Sequence, residues 1–396
     1  MTALGPATAV RTTRAAGYSR PMIKPVRPRA WRTALTSISL SLLIALLAGC
    51  DSRPPPPTPE QTRAQLRRLM PATVKDRPGW AADIQAAFAA LEIEPSAQNL
   101  CSVLAITEQE STYTANPAVP GLGKIARAEI EHRAARYKIP AFAVRAAMQM
   151  ESPNGDIWDT RIAAVRTEKE LSDIFEEMIS RVPLGKRLLA RANPVRTGGP
   201  MQVSIVFAEA HAKERPYPYT FEGSIRHQVF TRRGGMYFGI AHLLGYSAAY
   251  DKPLFRFADF NAGRYASRNA AFQNAVSVAT GIPLDLDGDL IRYRKSKGSG
   301  KISATETAVL TLADQLAMTP REIHSALADA HRQRFESGAL YRRTFEIADK
   351  RNGKSLPRAT LPRIRLHSPK ITRKLTTEWF ATRVNQRYVR CMAKTE

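Results

Sequence analysis

Glu110 is the residue whose type and position are best suited to proton transfer. Val103, Ile106 and Glu110 recur at spacings of three and four, so one face of a helix over residues 97–110 carries all three. Glu108 points away from that face. A carboxyl group at the end of a buried face is desolvated, which raises its pKa toward that of a general acid at neutral pH. The spacing alone fits a partly exposed helix-end glutamate equally well.

Glu151 is a second candidate carboxylate. Val144, Met148 and Glu151 share an apolar stripe, and a serine follows Glu151 as Ser111 follows Glu110. A Pro-Asn-Gly turn comes next, however, so no aromatic residue stands two positions beyond the Glu-Ser pair. Glu110 is therefore the favoured proton donor. Glu151 stays open as a rival or as a second carboxylate in the same groove, and a chain that uses neither is the third alternative.

Four short segments extend the pattern beyond Glu110. They are Gln109-Glu110-Ser111-Thr112-Tyr113 with Asn116-Pro117, Gly199-Pro200-Met201-Gln202, the stretch from Gly235 to Leu244, and Ala258-Asp259-Phe260-Asn261-Ala262-Gly263. Their order and residue types resemble the soluble lytic transglycosylases, relatives of goose-type lysozyme, over residues 97–280. The resemblance implies a mainly α, lysozyme-like domain, and it suggests a proteobacterial lipoprotein branch near that superfamily.

The reaction implied by this resemblance is cleavage of the β-1,4 bond between N-acetylmuramic acid and N-acetylglucosamine. In the family one glutamate protonates the leaving oxygen. It then accepts a proton from the muramic C6 hydroxyl, which attacks the anomeric carbon and forms a 1,6-anhydro sugar. Carried over, Glu110 is acid and then base, and Ser111 orients or caps it. The implied substrate-binding residues are Ser111, Tyr113, Met201, Gln202, Phe260, Asn261 and Glu151. The chemistry needs no metal and no cofactor, and the expected partner is the peptidoglycan glycan strand.

Two residues depart from the family pattern. Phe260 stands where the family has a tyrosine whose hydroxyl helps to orient the acid, so Asp259 or Tyr265 would have to substitute for it. Pro200 replaces a leucine. An alternative function therefore stays open: a non-catalytic peptidoglycan-binding or scaffold lipoprotein with a degenerate lysozyme-like groove.

The sequence pattern predicts that helices position these residues. Helical spacing dominates from residue 60, and we predict a lysozyme-like domain over 76–280 and a C-terminal extension over 281–396. The gap between the first two segments is far longer than in the family, so residues about 123–195 are expected to form a helical insertion beside the groove. Residues 284–291 alternate around Asp287-Gly288, which predicts a small β-hairpin. A calcium loop is a weaker reading of these residues, because the spacing of its glycine and its last ligand is wrong.

The amino-terminal sequence is typical of an export signal. An apolar stretch from Ala34 to Ala48 follows three arginines and ends in Leu47-Ala48-Gly49-Cys50. This resembles a bacterial lipoprotein signal, with residues 1–49 removed and Cys50 lipidated. Residues 1–21 are a candidate start-site artefact, because Met22 begins a signal of more typical length. Residues 50–75 would be a proline-rich linker on the periplasmic side of a bacterial membrane, with the choice of inner or outer membrane open.

Composition and charge limit the protein class and the kinds of binding partner. The chain carries 59 Lys+Arg against 35 Asp+Glu, a net charge of +24, with 44% apolar residues. These values exclude a collagen, a wholly disordered chain and a polytopic membrane protein. The basic excess suits a carboxylate-bearing wall polymer or acidic lipid, and the export signal argues against nucleic acid. The seven histidines show no metal-ligand spacing, so no metal site is predicted.

The cysteines permit one internal bond. Lipidation of Cys50 would leave Cys101 and Cys391, and an exported protein meets an oxidising compartment. A Cys101–Cys391 disulfide and two free thiols are equally compatible with the sequence.

Overall fold

The computed structural model describes residues 56–291, 302–366 and 375–395. The predicted signal peptide, Cys50 and the first part of the linker lie outside these residues. The described chain is mainly helical, as predicted from the spacing of its apolar residues.

The first half of the described chain contains three of the four predicted segments and is built mainly of helices. They are α1 (Pro59–Leu69), α2 (Arg77–Leu91), α3 (Ala97–Ser111), α4 (Leu122–Arg136), α5 (Ala141–Met148), α6 (Trp158–Ala164), α7 (Glu168–Ser180), α8 (Gly185–Leu189), a 3₁₀ turn (Ala190–Ala192), α9 (Ile205–Glu214), α10 (Ile225–Val229) and α11 (Arg232–Leu244). Two short antiparallel strands, β1 (Thr197–Gly198) and β2 (Val203–Ser204), interrupt this series.

The second half continues with helices. They are α12 (Pro253–Ala262), α13 (Ala266–Thr280), α14 (Ala304–Leu310), α15 (Ala313–Leu316), α16 (Pro320–Ala328), two 3₁₀ turns (Asp329–His331 and Gln333–Ser337), α17 (Ala339–Asn352) and α18 (Thr377–Met392). A second antiparallel pair joins β3 (Arg365–Leu366) to β4 (Leu375–Thr376).

The C-terminal helix belongs to the same core as Glu110's helix, which corrects the predicted boundary at residue 281. One buried cluster runs from Leu66 to Phe260 and also includes residues of α18, such as Phe380 and Val384. A second cluster joins α13 to α14, α16 and α17. The second core therefore combines α13 with the middle of residues 281–396. The last helix returns to pack on α3 and α12, a long-range contact that local spacing does not encode.

The predicted hairpin at residues 284–291 was wrong. These residues form no strand, because their polar backbone groups bond to α13 instead of to each other. The Leu284 amide donates to Ser277 Oγ, and the Gly288 amide donates to Gln273 Oε1. Asp287 Oδ1 accepts from the Gln273 side chain at 2.7 Å. The extension does contain a small antiparallel strand pair, but it lies at β3 and β4.

The predicted insertion is helical. Residues 123–195 form α4 to α8 and the 3₁₀ turn that follows α8. Apolar residues such as Trp158 and Ile162 join the first core. Arg226 of α10 pairs with Glu176 of α7 at 3.3 Å and donates to the Val195 carbonyl at 3.1 Å, so charged contacts also fasten the segment to the rest of the domain.

Candidate functional site

Helix α3 places Glu110 at the end of a buried stripe, as the spacing predicted. The helix begins after Ser96, whose hydroxyl accepts the Asn99 amide hydrogen, and such a cap favours the first helical turn. Val103 and Ile106 on the same stripe are fully buried. The helix ends where Thr112 takes a left-handed conformation, φ 50°, so Glu110 lies in the last turn.

Glu110 is partly exposed as a residue, and its carboxyl group is unpaired. Its side chain makes no hydrogen bond or ion pair with any described residue, while burial raises its pKa from 4.5 to about 8. Protein atoms exclude most of the water that would stabilise the charge, and no cation replaces that water. Glu110 is therefore largely protonated at neutral pH yet keeps some contact with solvent, which is the state a general acid requires.

The pKa of Glu110 predicts a component of the pH dependence of stability. A carboxyl whose pKa is higher in the folded state stabilises the fold below pH 4.5, and this contribution is lost as pH rises through about 8. Glu110→Gln should therefore raise the free energy of unfolding at pH 9 by about 2–4 kcal/mol, with little change at pH 4. Denaturant unfolding of the full chain at both pH values measures this. Equal wild-type and variant stabilities at pH 9 would contradict the buried setting.

Glu108, two residues earlier, has a different environment. Its carboxylate lies 3.4 Å from Arg387 Nε and 3.5 Å from Arg390 Nη2, both on α18. The face of α3 opposite Glu110 is therefore not a solvent face but a contact with the C-terminal helix. The Cys101–Cys391 disulfide joins the same two helices, with a Cα–Cα distance of 5.5 Å, so the open question of the cysteines is answered by a bond.

Ser111 and Tyr113 shape the end of α3 rather than contacting Glu110. The Ser111 hydroxyl donates to the Thr107 carbonyl and accepts from the Thr114 amide. The Tyr113 hydroxyl donates to the Leu104 carbonyl at 3.1 Å. Tyr113 is only 8% exposed. The capping role implied for Ser111 thus applies to the helix end, and the predicted substrate-binding role of Tyr113 is corrected to a core role.

The Gly-Pro-Met-Gln segment forms the turn between β1 and β2. Met201 is fully buried, and a Cβ built on Gly239 of α11 would lie 2.4 Å from its sulfur. Met201 therefore packs beneath the surface and does not line an open groove, which corrects its predicted role. Gln202 is partly exposed. Its Oε1 accepts from Thr197 Oγ1 at 3.2 Å, and its Nε2 donates to the Gly199 carbonyl at 3.3 Å.

Gly239 lies against the Met201 side chain, so substitutions at Gly239 test this packing. Gly239→Val would push a Cβ and two methyl groups into the space that Met201 fills, and overpacking of this kind costs about 1–3 kcal/mol. Gly239→Ala should cost less, because only one carbon is added and the thioether can shift. Thermal or denaturant unfolding of both variants measures the difference. A valine variant as stable as wild type would contradict the contact.

Helix α11 is the element that brings the four segments together. On one side its Met236 sulfur lies 3.8 Å from Thr107 Oγ1 of α3. The second segment packs against the glycines of α11. A Cβ built on Gly235 would lie 2.4 Å from Pro200, so only glycine leaves room for it. At its end, His242 Nε2 lies 3.3 Å from the Phe260 carbonyl of α12. The second and fourth segments therefore contact α11, and the first is linked to it through Thr107, two residues before that segment begins.

Phe260 and Asn261 are held by other residues. The Phe260 ring is mostly buried against the His242 ring, with centroids 5.1 Å apart. Asn261 Oδ1 accepts from Thr377 Oγ1 of α18 at 3.0 Å. Asn261 remains partly exposed, so its amide nitrogen is the group available for a ligand.

Asp259 and Tyr265 do not take over the missing tyrosine hydroxyl. Asp259 is fully buried and accepts from the Tyr246 and Tyr250 hydroxyls and from the Tyr265 and Ser267 amides. Its role is to fix the connection between α12 and α13. Since Glu110 has no bond to a described residue, neither Asp259 nor Tyr265 orients it.

His242 is a residue that sequence reasoning missed. Burial, together with the nearby Arg264 guanidinium, lowers its pKa from 6.5 to about 4, so the ring is neutral at physiological pH. Its Nδ1 is buried without a hydrogen-bond partner among the described residues. The available signal was its place within the third segment, where a polar residue interrupts an apolar helix.

Glu151 is exposed, and its backbone pairs with Ile157 in a short bridge. Unlike Glu110, it has no buried carboxyl group, so the structure gives it no feature of a proton donor.

The comparisons with known proteins cover most of the chain. Residues 73–394 match the family described as "Protein of unknown function (DUF1615)". The chain belongs to this family. It is also similar to the "Uncharacterized protein YaiW" of Escherichia coli (strain K12), with 53% identity over 363 residues, which is 90% of this chain and 98% of that protein. No solved structure matches the chain.

Among the helices of the described residues, none combines the length and the apolar character needed to cross a bilayer.

Proposed function

We propose that this protein is a peptidoglycan lytic transglycosylase that cleaves the bond between N-acetylmuramic acid and N-acetylglucosamine. The observation that carries the proposal is the unpaired Glu110 carboxyl, with its pKa of about 8, on a helix packed against α11. Helix α11 also receives the Pro200–Gln202 turn and the Phe260–Asn261 segment. Helix α11 carries the third segment itself, and it packs against the second segment, the fourth segment and the helix that bears Glu110, which supports the proposal.

The proposed reaction uses one carboxyl group twice. Protonated Glu110 gives its proton to the glycosidic oxygen as the bond to the muramic C1 breaks. The muramic C6 oxygen then bonds to C1, and the resulting Glu110 carboxylate takes the C6 hydroxyl proton. No water is consumed, and the carboxyl group ends as it began. A raised pKa serves both steps, because the group must hold a proton at neutral pH and also be basic enough to recover one.

Glu108 does not serve as a second catalytic carboxylate in this proposal. A glycosidase that uses water or a covalent intermediate usually has two carboxyl groups flanking the bond. Glu108 is held by Arg387 and Arg390 on the α18 side of the helix. A mechanism with Glu110 alone fits this arrangement better than a two-carboxylate mechanism.

The proposed location follows from the amino end. Cleavage before Cys50 and lipidation of its thiol would tether the protein to the periplasmic side of a membrane. The prolines at positions 54–57 would act as a short stiff spacer. The predicted linker over residues 50–75 is corrected, because α1 begins at Pro59 and packs into the core through Leu66 and Leu69. The net charge of +24 suits both the carboxylates of the wall polymer and acidic lipid.

A second candidate is a non-catalytic glycan-binding lipoprotein. Phe260 favours it, because the family's orienting hydroxyl is absent and no described residue hydrogen-bonds to Glu110. Digestion of purified sacculi by the full chain separates the two candidates. Anhydro-muropeptides support the transglycosylase. Co-sedimentation with sacculi but without released products supports the binding protein, and reducing-end products indicate a hydrolase.

A further inference from the structure

The insertion carries an unusual concentration of exposed apolar side chains. Eight of the fourteen large apolar residues that are exposed in the described chain lie between positions 137 and 189. We call the exposed surface of two of its segments the apolar-basic face, which consists of Arg136, Tyr137, Lys138, Ile139, Phe142, Arg145, Arg181, Val182, Leu184, Arg187, Leu188 and Arg191.

One hydrogen bond links the elements that flank the two segments of this face. Arg133, in the last turn of α4, donates from Nη1 to the carbonyl of Ala192 at 2.9 Å. Ala192 ends the 3₁₀ turn that follows α8. The end of α4 and the end of this turn are therefore in contact, although they are 59 positions apart in sequence.

In helix α5, the exposed apolar side chain is not the one that anchors the helix to the core. Its inner residue Met148 is 5% exposed and belongs to the core, so the helix already has an anchoring face. Phe142 on its outer side is 68% exposed, with Arg145 one turn further on. A phenylalanine held in water by a helix that is packed elsewhere stabilises nothing within the chain.

The second segment repeats this arrangement with backbone strain added. Leu184 and Leu188 are 67% and 70% exposed. Leu184 also takes a left-handed conformation, φ 57°, which a glycine would adopt at lower cost. Neither the local fold nor the core therefore requires leucine here.

Charge identifies the occupant of the face. No Asp or Glu occurs at positions 132–150 or 178–208, while both stretches contain several Arg and Lys residues. Arg and Lys can lay their methylene stems along an apolar surface while their charged ends reach phosphate groups. A tyrosine such as Tyr137 favours the boundary between water and lipid. In space, Glu131 lines a hollow with Arg145, and Glu176 and Glu209 line another with Arg191. Cationic side chains still outnumber acidic ones around the exposed apolar residues, and this combination suits an anionic bilayer surface.

We propose that the apolar-basic face docks on an anionic lipid bilayer. Tyr137, Phe142 and Leu188 would enter the headgroup region, and the surrounding arginines would contact lipid phosphates. Docking would hold the domain at a fixed orientation, which a tether at the amino end alone cannot do. This proposal concerns a surface distinct from Glu110 and does not depend on catalysis.

The test measures the local environment of the face in the full chain reconstituted with vesicles. The chain has three cysteines. With Cys101 and Cys391 bonded to each other and Cys50 acylated, a cysteine introduced by mutation would carry the free thiol that the dye labels. We would label Leu188→Cys with a polarity-sensitive dye. Ser355→Cys, at an exposed polar position, is the matched control. The dye on Leu188→Cys should shift to shorter wavelength on phosphatidylglycerol vesicles but not on phosphatidylcholine vesicles, and the control dye should not shift.

Charge variants sharpen the test. Arg136→Gln, Lys138→Gln and Arg187→Gln together should lower the ratio of docked to undocked protein by about 100-fold. Arg342→Gln, Lys350→Gln and Lys354→Gln remove the same charge from exposed positions elsewhere and should lower it far less. No shift on anionic vesicles would overturn the proposal. So would a shift that depends on protein density, which indicates a second copy, or one produced by sacculi alone, which indicates glycan.

Discussion

Glu110→Gln should abolish glycan-strand cleavage while leaving the protein folded and able to bind sacculi. Glutamine keeps the shape of the side chain but can neither donate nor recover a proton. General acid–base assistance contributes about 10²–10⁴-fold, and a lone carboxyl group used in both steps should reach the upper end of that range. Initial rates of muropeptide release from purified sacculi measure the loss, and co-sedimentation with sacculi measures retained binding.

Two other glutamates provide matched controls. Glu108→Gln removes one partner of a partly exposed charge cluster with Arg387 and Arg390, which should cost no more than about 1 kcal/mol of stability and little activity. Glu151→Gln removes an exposed charge from the insertion. If Glu151→Gln lost activity while Glu110→Gln kept it, the assignment of Glu110 would be wrong.

Removing the Cys101–Cys391 disulfide should produce the largest loss of stability. The bond closes a loop with a sequence separation of 290 residues, and restricting so long a loop in the unfolded chain is worth about 5–6 kcal/mol in the chain-entropy model. Disulfide sulfurs carry no polar hydrogen, so replacing the two buried cysteines by alanine (Cys101→Ala with Cys391→Ala) leaves no unsatisfied polar group. Denaturant unfolding of the double variant should show the loss.

The same bond should also affect the site. It joins α3, which carries Glu110, to α18, whose Thr377 holds Asn261. We therefore expect the double variant to lose activity at a lower temperature than wild type. Wild type treated with a reductant should behave like the double variant. An unchanged free energy of unfolding in both would show that packing alone holds the two helices together.

The features predicted correctly are those that local periodicity or simple counting determines. Val103 and Ile106 mark the buried face of α3 because a helix repeats every 3.6 residues, and that period also places Glu110. The disulfide partners followed from the number of cysteines, although the formation of the bond did not.

Features that depend on distant packing could not be predicted. Met201 and Tyr113 face the core because α11 and the Leu104 carbonyl meet them there, and neither partner lies near them in sequence. The alternating residues around Asp287 suggested a strand, but the side chain of Gln273 offers their backbone a better set of hydrogen bonds. The return of α18 to α3 is likewise a tertiary contact without a local signal.

The most direct test of the central claim is product analysis of sacculi digested in heavy-oxygen water. The proposed reaction forms the new bond to the muramic C6 oxygen, so released glycan ends should be 1,6-anhydro sugars without heavy oxygen. Mass spectrometry would show these products with the wild-type chain and not with Glu110→Gln. Heavy oxygen at the reducing ends, or no products from the wild-type chain on sacculi that it binds, would contradict the account.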